Sequence, residues 1–191
     1  MLTQEQFIRN FSVMANGEVD FFLGAGASIA SGIPTGGDLI WEFKRTLYCS
    51  ECGISTEKYK DLALPSTRKM LQEYFDRKGG YPEQYAPEEY SFYFEQCYND
   101  PLARKRFIES IVSARKPSIG YLCLAEAVAK GKVKNVWTTN FDPLLENALN
   151  QLYPINNVLV CSEANRDSIR SLNPQYPVIG KLHGDYRYDW L

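Results

Sequence analysis

Residues 20–34 read DFFLGAGASIASGIP. With Val19 ahead of them, Asp20, Phe21, Phe22 and Leu23 form a short run dense in β-branched and aromatic side chains, the composition of a strand. The run passes without a spacer into Gly24-Ala25-Gly26-Ala27-Ser28. Glycines at 24 and 26 let the backbone turn sharply and come close to a bulky anion. The small residues Ala27, Ser28 and Ala30 let a following helix pack tightly on the strand. Free N–H groups at the start of that helix then face a pyrophosphate. Ile29 stands where the dinucleotide fingerprint of dehydrogenases has a third glycine or an alanine, so a G-x-G-x-x-G match fails. Taken alone, the turn reads equally well as a tight strand-to-helix connection with no ligand.

Two later stretches are built alike, each a strand that ends in a polar loop. Val133-Lys134-Asn135-Val136-Trp137 predicts a strand that delivers residues 138–142, TTNFD, into a loop. Asp142-Pro143 opens a helix with Leu144, Leu145, Ala148, Leu149 and Leu152 along its apolar side. Asp142 therefore reads as an N-cap as well as a ligand group, whereas Asn140 has neither a cap nor a strand role. Residues 157–161 predict a third strand, a polar helical segment follows from Ser162, and residues 177–182 predict a fourth strand with His183 directly after it. His183 is the only histidine in the chain, so chemistry that needs a group titrating near neutral pH falls to it. Open parallel sheets place ligand groups where strands end and helices begin. The alternation of short apolar strands and helices predicts an α/β fold, a Rossmann-like parallel sheet with helices on both faces and an inserted helical module.

In order and rough spacing, three segments resemble the signatures of the sirtuin family, the NAD-consuming silent-information-regulator enzymes. They are Gly24-Ala25-Gly26-Ala27-Ser28 with Gly32-Ile33-Pro34, then Thr138-Thr139-Asn140-Phe141-Asp142, then His183-Gly184. The resemblance spans residues 19–185. Protein-deacylating sirtuins continue G-I-P with D-F-R, where this chain has Thr35-Gly36-Gly37-Asp38, and they carry Gln and Ile where Thr139 and Phe141 stand. The T-T-N-F-D form with H-G-D is similar to the divergent prokaryotic antiviral-defence branch, whose members hydrolyse NAD.

The resemblance implies that Gly24, Ala25, Gly26 and Ser28 cradle the phosphates of NAD+ and that Ile33, Pro34 and Thr138 belong to the same nucleotide site. It also implies that Asn140 orients the ribose hydroxyls or the attacking water, that Asp142 holds the nicotinamide carboxamide, and that His183 is the general base. Asn140 and His183 are the catalytic pair. NAD+ is then the substrate, and no metal is expected. Water as acceptor gives ADP-ribose, and an acyl-lysine as acceptor gives deacylation. A module that senses NAD or ADP-ribose without turnover is the third reading. A defence hydrolase needs restraint, because uncontrolled NAD loss kills its own cell. Self-association and a regulatory partner such as an Argonaute-like protein or an ATPase are therefore expected. The family's nucleotide-binding core needs more than four strands, so the chain is expected to be the N-terminal part of a longer protein.

The remaining sequence bounds these readings. A length of 191 residues suits one domain with an insertion, large enough to bury about 70% of its unfolded surface. With 21 Lys plus Arg against 23 Asp plus Glu, the charge gives no reason to expect direct nucleic acid binding. The charged N-terminal decapeptide and the lack of a long apolar run argue for a cytoplasmic protein with no membrane contact. Five cysteines at irregular spacing argue against a disulfide framework, and Cys49 with Cys52 reads as half a zinc site, short of two ligands, or as a redox pair. Residues 3–16 predict a helix capped by Thr3 with Gln6, and Asp38 is expected to cap another with Leu39, Ile40, Phe43 and Leu47 as its stripe. From about 48 to 116 the chain predicts an inserted helical module, with segments near 66–78, 87–98 and 101–115, before a further helix at 118–130. The aromatic residues of the insertion are expected to pack its helices together, or to form a lid or an interface.

Overall fold

The computed structural model describes residues 2–154, 157–162 and 176–187. In chain order the elements are α1 (Gln4–Val13), β1 (Val19–Leu23), a 3-10 helix (Ala25–Ser31), α2 (Gly36–Cys52), a 3-10 turn (Thr56–Tyr59), α3 (Pro65–Lys78), α4 (Glu89–Cys97), α5 (Pro101–Val112), α6 (Ile119–Ala129), β2 (Val133–Thr138), α7 (Leu144–Leu152), β3 (Leu159–Cys161) and β4 (Val178–Lys181). The chain divides into two compact units, Met1–Ile33 with Ile108–Leu191, and Pro34–Phe107. The polar segment expected after Ser162 lies outside the described residues.

The first unit is built on a four-stranded sheet of order β1-β2-β4-β3 in which every pairing is parallel. This is the α/β, Rossmann-like architecture that the strand pattern predicts. Leu23 pairs with Thr138, and Thr138 with Lys181, so β1, β2 and β4 end level with one another. A slip of register between Val19 and Asp20 leaves Lys134 as an extra residue in β2. An extra residue re-aims its neighbours, and Val133 and Val136, three apart, both join the buried cluster. That cluster is completed by Ile179 of β4, by Tyr121, Ala125 and Val128 of α6, and by Leu144, Leu145, Ala148 and Leu149 of α7. At Gly180 any side chain is barred, because an added Cβ would lie 2.3 Å from a ring carbon of Trp137 on the neighbouring strand.

Local chemistry sets the boundaries. Thr3 and Gln6 form the predicted capping box of α1. The residues after β1 wind as a seven-residue 3-10 helix instead of an α-helix. Two glycines and a close left-handed stop at Gly32 (φ 80°) leave too few residues to offset the cost of α-helix nucleation. Gly32 also cannot take a side chain cheaply, since its Cβ would sit 2.9 Å from Arg115 Nη1.

In the second unit, Thr35 is the N-cap of α2, and Asp38 is the third helical residue of a reciprocal capping box, not the cap itself. The unit opens at Pro34, earlier than the expected start of the insertion, because α2 shares the aromatic core of the later helices. Phe43 of α2 stacks on Phe94 of α4 at 5.2 Å and lies 5.4 Å from Phe107 of α5. Phe75, Tyr81 and Tyr93 form a second group of rings. The Lys44 ammonium is fully buried, paired with Glu89 and hydrogen-bonded to Gln72 at 2.6 Å.

Candidate functional site

Because β1, β2 and β4 are parallel and end in register, the three loops that follow them emerge side by side at the carboxyl edge of the sheet. Their backbones are tied there directly. Thr139 N–H donates to Leu23 O (3.2 Å), and Leu182 N–H to Thr138 O (2.8 Å). The Thr138 hydroxyl donates to Leu23 O (3.2 Å) and accepts from Asn140 N–H (3.0 Å). Thr138 is thereby spent on the backbone.

Ser28 is the hub of the site. Only 1% exposed, it donates from Oγ to Asp142 Oδ2 at 2.7 Å. Its single proton is used there, so the Tyr121 hydroxyl at 2.9 Å is the donor to Ser28. Asn140 Nδ2 donates to Gly24 O (3.1 Å) and Ser28 Oγ (3.1 Å), with Tyr121 Oη further off at 3.4 Å. A carbonyl cannot donate, so Gly24 O fixes which way the Asn140 amide points. Asn140 Oδ1 is left with no donor among the described residues. The other oxygen of Asp142 accepts Leu144 N–H at 3.1 Å, but the N-cap of α7 is Pro143, so Asp142 stands one residue before the cap position expected for it. Burial, and then the nearby Asp142 charge, pushes the Tyr121 phenol up against the opposing hydrogen bonds with Ser28 and Asn140, so it stays a neutral donor.

The first ladder bond of the 3-10 helix runs from Ala27 N–H to Gly24 O (3.0 Å). The N–H groups of Ala25 and Gly26 precede it and have no helical acceptor. Both residues are exposed, as is Gly24. Ile33 packs against the core of the first unit, and Pro34 begins the second. His183 is exposed, in a turn whose next residue, Gly184, takes φ 86°. An L side chain rarely adopts that angle, which accounts for glycine after the histidine.

Beneath this turn lies a cluster that sequence reasoning missed. Lys181 Nζ, with its side chain fully buried, reaches Asp142 O at 2.9 Å, Glu146 Oε1 at 2.9 Å and Asp185 Oδ2 at 2.8 Å. Arg187 closes the cluster on Asp185 Oδ2 at 2.6 Å and Glu146 Oε1 at 3.0 Å. Burial opposes ionisation of Asp185, but hydrogen bonds from Arg187 and Lys181 outweigh it and hold the carboxyl at about 2. Lys181 and Asp185 stand two residues before and two after His183, and Glu146 is one helical turn beyond Asp142. Those spacings put the three residues near the motifs without saying that they meet. Tyr121 gave no signal, because in an apolar helix it reads as core.

Behind Asn140 and Asp142, the cavity bordered by Tyr121, Thr138 and Ile179 measures about 10 Å³, no more than one water needs. A roomier cleft of about 670 Å³ lies within the second unit along Trp41, Arg68 and Tyr85, and none of the predicted site residues lines it. Among the described residues no group of three or more His, Cys, Asp or Glu is placed to hold a metal. No family model and no curated protein matches the chain.

Proposed function

We propose that the chain is a sirtuin-like NAD+ hydrolase domain, which converts NAD+ to nicotinamide and ADP-ribose at the carboxyl edge of its sheet. The observation that carries this reading is the convergence of the three motif loops on the level ends of β1, β2 and β4. The groups left unengaged suit the substrate. Ala25 and Gly26 N–H offer donors to a pyrophosphate, and Asn140 Oδ1 offers an acceptor to a ribose hydroxyl or a water. The bond from ribose C1′ to the nicotinamide nitrogen breaks with its electron pair going to the ring, which leaves neutral. A water oxygen bonds to C1′ and gives its proton to His183 as general base. Fixing phosphates and ribose ahead of this step supplies most of the acceleration. Ser28, Thr138 and Asp142 hold Asn140 and the phosphate turn through these bonds, and the Asp142 carboxylate keeps acceptor capacity for the nicotinamide carboxamide.

The antiphage role, with control through self-association or a partner chain, rests on the T-T-N-F-D and H-G-D forms alone. One observation favours a second reading: the cavity behind Asp142, about 10 Å³, is small beside a nicotinamide ring and suits a sensor that binds the nucleotide without turnover. Nicotinamide release by wild type, Asn140→Ala and His183→Ala, with and without an acetyl-lysine peptide, separates the readings. Release without peptide that both substitutions abolish is the expected result. Release only with peptide identifies a deacylase, and binding without release identifies a sensor.

A further inference from the structure

The His183 turn is stapled at its base. Lys181 and Asp185, on either side of the histidine, meet at 2.8 Å, and the same ammonium reaches Asp142 O, two residues beyond Asn140. Its third contact is Glu146 on α7, so three acceptors take all three of its donors. Arg187 Nη2 bonds the same two oxygens, Glu146 Oε1 and Asp185 Oδ2, which gives the cluster two positive and two negative charges. A buried ion pair of this kind is weak evidence for stability, since well-packed apolar side chains often replace one without loss. It does fix geometry, because removing one member leaves the others buried and uncompensated.

We infer that Lys181 is a positioning residue that sets the placement of His183 relative to Asn140, with Asp185 and Glu146 as its anchors. The catalytic part of this inference rests on the hydrolase reading, whereas the geometric part stands apart from it. The Lys181 side chain bonds at once to the loop after β2, to α7 and to the turn after β4. The pair that would act on the ribose lies on two of those three segments. Loss of the ammonium frees the turn and leaves Asp142 O without its donor, so His183 samples positions away from the reacting atoms. Misplacement by about 1 Å is enough to cost on the order of 100-fold in rate.

The single histidine makes this directly observable. In the full chain, purified without a histidine tag, the imidazole Cε1–H gives one two-dimensional NMR cross-peak. Lys181→Met is expected to shift, broaden or split that peak. It should lower kcat for nicotinamide release about 10- to 100-fold, with KM for NAD+ unchanged within about twofold. Glu146→Gln keeps an acceptor for the ammonium but removes one negative charge, so it is expected to move the peak less than Lys181→Met does, and an equal or larger displacement would count against Lys181 as the positioning group. A Lys181→Met protein that melts cooperatively yet retains both the wild-type peak and kcat would overturn the inference. Should Lys181→Met fail to fold, Asp185→Asn serves instead, and an unchanged His183 peak in it overturns the inference equally. Absence of turnover in the wild type would sink the hydrolase reading, and the NMR comparison would still test the clamp.

Discussion

Ser28→Ala tests whether the serine of the phosphate turn is a ligand group or the hub of the scaffold. The substitution removes one buried oxygen and leaves the backbone of the 3-10 helix untouched. Three partners lose it at once: Asp142 Oδ2 at 2.7 Å, Tyr121 Oη at 2.9 Å and Asn140 Nδ2 at 3.1 Å. The bond to the carboxylate is worth about 1.5–3 kcal/mol, and a neutral bond about 0.5–1.5 kcal/mol. Asn140 keeps Gly24 O, so its loss is partial, and Tyr121 can turn toward Asp142, which returns part of the first term. A net cost of about 2–4 kcal/mol follows. For a chain of this size each kcal/mol shifts the melting temperature by about 2–4 °C, giving a fall of roughly 4–16 °C. Tyr121→Phe is the control, since it takes one neutral donor from Ser28 and leaves the serine-to-aspartate bond in place. It should cost about 1 kcal/mol. The assay is urea unfolding of both variants beside wild type, followed by near- and far-ultraviolet circular dichroism. Equal midpoints for Ser28→Ala and wild type, or a larger loss for Tyr121→Phe than for Ser28→Ala, would refute the hub assignment and return Ser28 to the role of ligand contact.

Two further outcomes can be checked on the same preparations. Gly180→Ala places a methyl 2.3 Å from the Trp137 ring in the middle of the sheet, which neither strand can yield; a loss of about 3 kcal/mol or more is expected from overpacking, partly recovered by Trp137→Leu. The Asp185 carboxyl, held at about 2, lies below its unfolded value of about 4, so its contribution of about 2 kcal/mol is complete above pH 4 and is lost as the pH falls toward 2. Acid unfolding of Asp185→Asn should lack that limb, and an unchanged acid midpoint would show that the carboxylate adds nothing.

The strand-ending loops were legible because each carries its own punctuation. A short apolar run that passes at once into Gly24, or within a residue into Asn-Phe-Asp-Pro, leaves the backbone little choice, and β1 and β2 end at such points while β3 and β4 lie in the apolar runs alone. The cap of α2 was misjudged by three residues. Thr35 and Asp38 are the two halves of one reciprocal box, and the aspartate alone resembles a cap when the threonine is overlooked. The start of the helical unit was hidden for a different reason. Phe43 looks like any helical stripe residue, and only its stacking on Phe94 and its tilted contact with Phe107 assign α2 to the aromatic core. The 3-10 winding after β1 escaped notice because small residues promise close packing but do not specify the pitch. Lys181, Glu146, Asp185 and Arg187 were illegible as a set. A charge in a polar motif is by default a solvated one, and nothing in spacing alone says that four of them meet under a turn.

The inward orientation of these side chains changes what the motif resemblance can mean. Ser28, Thr138, Asp142, Lys181 and Asp185 spend their polar atoms on one another and on the backbone, so their types are dictated by the need to hold three loops together at one sheet edge. Any protein that presents an Asn and a His on these loops needs much the same scaffold, whether water, an acyl-lysine or nothing at all attacks the sugar. The choice among those chemistries therefore falls on groups with no partner among the described residues: Asn140 Oδ1, the His183 imidazole and the N–H pair of Ala25 and Gly26. Ser28→Ala and Asn140→Ala should accordingly part company. The first should lower stability and activity together, whereas the second keeps the Ser28-to-Asp142 bond and should lose turnover with a smaller loss of stability. If Asn140→Ala instead unfolds the protein as readily as Ser28→Ala while wild-type protein never consumes NAD+, the asparagine too belongs to the scaffold, and the hydrolase proposal loses its acceptor.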